Sequence, residues 1–273
     1  MRTQAEKATD FQALHQRDGA FIIPNPWDIG SARILAQLGF EALATTSVGY
    51  AFSIGRRDHG VMREQMIGHA RDLAAATDLP LSADLENGFG DDPETVAETV
   101  RMAAAAGLSG CSIEDSTNRD LDPIYDINVA AERVRAAAVA VRLLPHPFML
   151  TARAENYLHG RADLKDTVRR LQAFQDAGAD VLYAPGITAM DEIASLVRSV
   201  DRPVNVLAGL QGAKLSLGEL AKAGVRRVSV GGALSRIALA AFVRAAREMR
   251  EQGTFTFVDE PISSRELSEF FDA

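Results

Sequence analysis

The 273-residue sequence has a single cysteine, Cys111. That excludes an intramolecular disulfide framework and any cysteine-rich zinc site. Positive charge is scarce: 29 Lys and Arg stand against 37 Asp and Glu, a net charge of −8. A surplus of acid argues against nucleic acid and anionic membrane as main partners. Long apolar runs are missing. The longest uncharged run, residues 42–55, is too short to span a bilayer and is rich in Thr, Ser and Gly. Residues 1–10 are polar and charged and do not read as a signal peptide. What is present is 47% hydrophobic and 24% charged residues, the composition of a folded, cytoplasmic globular protein.

Four segments share one pattern: LGFEALATT from Leu38, AGLSGCSIED from Ala106, AGADVLYAPG from Ala177 and AGVRRVSVGG from Ala223. In each, a helical pattern ends in glycine and a short apolar run follows. Glycine supplies the left-handed cap, and the run reads as a strand buried on both faces. Residues 21–25, 81–86, 148–154 and 204–209 add four similar strands. Helical patterns lie between them, with start signals at Asp92-Pro93, Ser216…Glu219 and Thr188…Asp191. Eight strands alternating with eight helices over about 250 residues predict an α/β fold, a (β/α)8 TIM barrel. An open doubly wound sheet is the competing arrangement. The chain reads as one barrel domain over residues 1–273. Residues 253–273 form a C-terminal tail with a short helix, 264–271, whose Leu267, Phe270 and Phe271 need a surface to cover them.

Barrel chemistry gathers at the C-terminal strand ends. The third strand ends in Asp84 and Glu86, which alternation puts on one face, and the fourth brings Glu114 alongside. Converging carboxylates repel unless they share protons or hold a cation. Oxygen ligands without His or Cys select Mg²⁺ or Mn²⁺. The competing reading is that these acids cap helices or pair with arginines. Arg153, on the fifth strand, is the natural anion anchor, or else a structural partner of Glu155 or Glu114. The chain has four lysines, and none lies in a predicted strand, where a Schiff-base aldolase of this fold carries its nucleophile; Lys214, after the seventh strand, is the single near exception. Cys111 faces away from Glu114 and reads as a buried apolar residue. His15, His69 and His146 read as surface residues on or near helices. His59 and His159 fall in strand-end loops and are weak proton-transfer candidates.

The stretches PNPWDIGSARI near residue 24, TTSVGYAFSIGRRD near 45, SADLENGFG at 82, CSIEDS at 111 and TARAENY at 151 together resemble the isocitrate lyase/phosphoenolpyruvate mutase superfamily. The resemblance implies an α/β barrel whose last helical region is swapped between subunits of a homodimer or homotetramer. It implies Mg²⁺ at Asp84, Glu86 and Glu114, with Asp58 a further acid beside the metal waters. It implies substrate contacts from Trp27, Asp28, Thr46, Ser47, Val48, Arg153 and Asn205. Catalytic roles then fall to Arg153, Glu114 and Asp58, acting through a pyruvate-type enolate of a small 2-oxo or dicarboxylic acid.

One segment departs from the family pattern. The loop after the fourth strand, residues 114–123, lacks the Cys-Gly-His of isocitrate and methylisocitrate lyases and the lysine of the mutase. Asn118, with Arg119, stands there instead. The expected activity is Mg²⁺-dependent cleavage of a C–C bond in a 2-oxo or 2-hydroxy dicarboxylate, as by an oxaloacetate decarboxylase or an isocitrate or methylisocitrate lyase. Decarboxylation asks least of the loop, because loss of CO₂ needs no base to take a hydroxyl proton; a lyase acting on a hydroxy acid needs one, from Tyr125, Tyr157, Glu155 or His159. The alternatives are P–C chemistry, as in phosphonopyruvate hydrolase or phosphoenolpyruvate mutase, and a 2-oxo-acid binding protein with little turnover.

Overall fold

The computed structural model describes residues 2–259 and 262–271. Eight parallel strands form the centre: β1 (Phe21–Ile23), β2 (Leu43–Ala44), β3 (Leu81–Asp84), β4 (Gly110–Glu114), β5 (Met149–Arg153), β6 (Val181–Tyr183), β7 (Val204–Leu207) and β8 (Arg227–Ser229). Each pairs with its sequence neighbour from β2 to β8, and β8 returns to β1. Between β1 and β2 the Ala44 N–H donates to the Pro24 carbonyl (3.1 Å) and draws the barrel nearly closed. The fold is the predicted (β/α)8 barrel.

The outer layer begins with α1 (Gln4–Gln16), α2 (Ile29–Gln37), α3 (Ser47–Ser53) and α4 (Arg63–Ala76). It continues with α5 (Pro93–Ala105), α6 (Ile127–Arg142), α7 (Leu164–Ala177), α8 (Met190–Arg198), α9 (Leu217–Lys222), α10 (Ala233–Gln252) and α11 (Ser264–Glu269). The predicted boxes fare differently. Ser216 caps α9 through the Glu219 N–H, whereas Ala189, not Thr188, precedes α8 and no side chain caps that helix.

Helix α1 is the element that sequence pattern misses. It carries no apolar stripe, yet Phe11 and Leu14 pack with Phe21, Ile23, Met149 and Val181 to plug the N-terminal end of the barrel. Its polarity is used. Thr3 and Glu6 form a reciprocal capping box, and the buried Lys7 ammonium donates to the Ala74 and Thr77 carbonyls at the end of α4. His15 is buried as well, edge-on between Phe11 and Phe21, and burial pushes its pKa down to about 3. His69 on α4 is also buried, stacked on Tyr50 at 3.7 Å. The surface expectation fails for both histidines, because ring stacking, not apolar periodicity, carries them inside. Cys111 is fully buried, as expected.

Helix α10 leaves its apolar residues bare. Of its 20 residues only Ser235 is buried, while Ile237 (67% exposed) and Phe242 (69%) face outward. In the tail, Leu267 and Phe270 are half-buried and Phe271 is exposed, so this chain alone does not cover them. No helix among the described residues is long and apolar enough to cross a membrane.

Candidate active site

A cavity of about 360 Å³ opens at the C-terminal ends of the strands and reaches down into the barrel. Small inward residues, Ala44, Ser82 and Ser112, leave that interior unfilled. Arg153 dominates the electrostatics. Its Nε donates to Glu155 (2.9 Å), Nη1 to Asp84 (2.8 Å) and Nη2 lies 3.2 Å from Glu114. Burial alone would depress its pKa, but three carboxylates outweigh burial and hold it well above the usual arginine value.

Asp84 is fixed from the other side. The Ser47 N–H and hydroxyl both donate to Oδ2 (3.1 and 2.8 Å), and Thr45 Oγ1 accepts from the Asp84 N–H. Burial opposes its ionisation, and Arg153 with Ser47 more than offsets that, so its pKa falls. Glu114 has no such surplus. Burial, then Glu155 and Asp84, drive its pKa well up against the pull of Arg153.

The third strand ends at Asp84, earlier than the predicted Glu86. Glu86 takes a left-handed backbone (φ 49°), so simple alternation stops there. Its carboxylate turns toward His59, which also has positive φ (56°), and lines an adjoining groove. His59 Nδ1 lies 3.3 Å from Glu86 Oε2, and this contact lifts the imidazole pKa to about 9. Donor atoms of Asp58, His59 and Glu86 lie within 4.8 Å of one another. The other oxygen, Glu86 Oε1, is buried and has no hydrogen-bond partner among the described residues. Non-glycine residues in this conformation cost on the order of 1–2 kcal/mol each, and such strain concentrates at functional sites.

These residues suit a hard cation. Two of the three clustered donors are carboxylate oxygens and the third is a His59 nitrogen, three more acids surround Arg153, and one buried Glu86 oxygen lacks a partner among the described residues. Arg153 and His59 are the cations that contact these acids.

The remaining predicted residues divide. Thr46, Ser47, Val48, Arg153 and Asn205 line the cavity. Trp27 and Asp28 do not: Asp28 caps α2 by accepting from the Ser31 N–H. Asn118 is exposed, in a left-handed conformation, and borders the adjoining groove. Tyr125 and Tyr157 are turned to Asp91 and Glu192, whereas Glu155 and His159 line the cavity. Two residues received no role from sequence reasoning, Asp115 at the end of the fourth strand and Arg227. Asp115 accepts from the Glu155 N–H (2.8 Å) and from Arg170 (3.0 Å), tying β4, β5 and α7 together. Arg227, on β8, forms part of the cavity floor.

Residues 11–250 match the phosphoenolpyruvate phosphomutase family model. The chain belongs to this family, within the phosphoenolpyruvate mutase/isocitrate lyase superfamily. Among solved structures, the chain is 62% identical to a Burkholderia cenocepacia J2315 protein provisionally assigned as a lyase/mutase, with TM-score 0.96 over 99% of this chain and 97% of that one. It is 34% identical to an uncharacterised protein of Mycobacterium tuberculosis over 88% of this chain and 89% of that protein. Oxaloacetate acetylhydrolase, solved with its product oxalate, is 26% identical, with TM-score 0.86 over 98% of this chain and 93% of that one. The superfamily to which the phosphomutase family belongs includes lyases and mutases, and their specific activities differ.

Proposed function

We propose that this protein is a Mg²⁺- or Mn²⁺-dependent lyase that cleaves a C–C bond of a small 2-oxo or 2-hydroxy dicarboxylic acid. The observation that carries this reading is the partnerless buried Glu86 Oε1 beside the carboxylates that share Arg153. Asp84, Glu86 and Glu114, with Asp58 beside them, would hold the metal. When bound, the ion would stabilise negative charge on the enolate oxygen as the bond breaks.

The chain's own residues do the rest. Ser47 and Thr45 hold Asp84 in place. Arg153, at the centre of these acids, would grip an anionic substrate oxygen. Of the four groups named for taking a hydroxyl proton, Glu155 and His159 line the cavity, as does His59, whereas Tyr125 and Tyr157 face elsewhere. Decarboxylation asks least of these groups, because it needs no base on a hydroxyl. The bare face of α10 is, in the same reading, covered by a second copy of the chain in a homodimer or homotetramer.

The test is a panel of oxaloacetate, isocitrate, 2-methylisocitrate, alkyl malates and phosphonopyruvate with Mg²⁺, and with EDTA as control. EDTA-sensitive release of pyruvate, glyoxylate or succinate is expected. Phosphate from phosphonopyruvate would move the assignment to P–C chemistry. Ligand binding without turnover on any member would make this a binding protein.

A further inference from the structure

The floor of the cavity holds a second arginine whose situation differs from that of Arg153. Every side-chain nitrogen of Arg153 is already matched to a carboxylate. Arg227 is 5% exposed and has no carboxylate partner among the described residues. Its Nε donates to Asn205 Oδ1 (2.9 Å), its Nη2 to Thr151 Oγ1 (2.9 Å), and its Nη1 meets His15 Nε2 at 3.3 Å.

All three acceptors are neutral. His15 Nδ1 lies 2.7 Å from the Phe11 carbonyl, which can only accept, so Nδ1 carries the hydrogen and Nε2 is the acceptor toward Arg227. A guanidinium has five N–H donors, so two remain without a partner among the described residues. A buried cation without a counter-ion is costly, and such groups pair or find a ligand. Arg227 faces the void beside Asn205, Ser229 and Tyr183, which add polar atoms to the same floor.

We propose that Arg227 takes the second anionic group of the substrate and makes the cavity selective for dianions over monoanions. The inference rests on the 2-oxo or 2-hydroxy acid reading above and adds where the distal carboxylate goes. The acids and the metal they hold would engage the head of the substrate at the mouth. A carboxylate or phosphonate at the far end would then supply the counter-charge that Arg227 lacks.

The test compares DL-malate with DL-lactate by isothermal titration calorimetry on the full chain with excess Mg²⁺. The two share a 2-hydroxy acid head and differ by the second carboxylate. Oxalate serves as the probe of the head site. Wild type should prefer malate by about 10- to 100-fold, the scale of one charged hydrogen-bonded contact. Arg227→Met should erase that preference, and Arg227→Lys should keep part of it. A preference that survives in Arg227→Met, or is absent from a wild type that binds oxalate, overturns the proposal. Failure of wild type to bind oxalate with Mg²⁺ would instead count against the functional reading. Should Arg227→Met not fold, a crystal structure of the wild-type malate complex decides. The second carboxylate is expected about 3 Å from an Arg227 nitrogen, and its lying elsewhere overturns the proposal.

Discussion

Arg133 offers the sharpest test of how the acid cluster is held. It sits on α6, 1% exposed, without a carboxylate partner among the described residues. Its guanidinium donates to the carbonyls of Asn87, Gly90 and Asp91, the turn that follows Glu86, and lies 4.3 Å from the Tyr125 ring centre. Arg133→Met keeps much of the stem but leaves three carbonyls without that donor. Each charged hydrogen bond contributes about 1.5–3 kcal/mol, and the relief of burying a charge offsets part of the sum. The net loss should be about 3 kcal/mol. For a domain of this size that lowers the melting temperature by roughly 5 °C. Calorimetry with and without Mg²⁺ reads both consequences: a lower melting temperature, and a smaller gain on adding metal because the backbone after Glu86 is looser. Arg101→Met on α5 is the control. Arg101 bridges Glu94 and Glu98 in solvent, so its loss should move melting by less than about 2 °C. If Arg133→Met melts as wild type does, the turn is held by something other than this arginine and the reasoning fails.

Glu86→Gln should weaken Mg²⁺-linked thermal stabilisation by more than about tenfold in metal concentration; an unchanged titration would remove Glu86 from the metal site. Burial pushes the His69 pKa down to about 4, against about 6.5 unfolded, so the unfolded chain takes the proton first and stability is lost as pH falls below about 6.5. Relative to His69→Phe, wild type should therefore lose about 2 kcal/mol between pH 7.5 and 5; denaturant melts that move in parallel would contradict the buried neutral ring. Phe242→Asp on the bare face of α10 should convert the assembly to a smaller species in light scattering; a wild type that is already monomeric would refute the covered-face reading.

The barrel was legible because its signals are local. A helix ending in glycine before an apolar run needs no distant partner, and Gly39, Gly107, Gly178 and Gly224 all adopt the positive φ that this pattern requires. Asp84 and Glu114 were legible for a similar reason, since alternation along a strand fixes a face. What failed was conformation or contact set from elsewhere. The stretch after β2 folds into α3, because Thr46 accepts the Gly49 N–H and ends a strand only two residues long. Helix α1 hides because its buried face is built from Lys7 and His15 as much as from Phe11, and each polar group finds a partner distant in sequence, Lys7 at the end of α4 and His15 at Arg227 on β8. Arg227 stands in a run, RRVSVG, that reads as one more apolar strand. Alternation from Ser229 points it inward, but periodicity carries no information on whether an inward arginine meets a carboxylate. It is the absence of one, visible only when eight strands are closed around it, that turns a core residue into a candidate for substrate recognition.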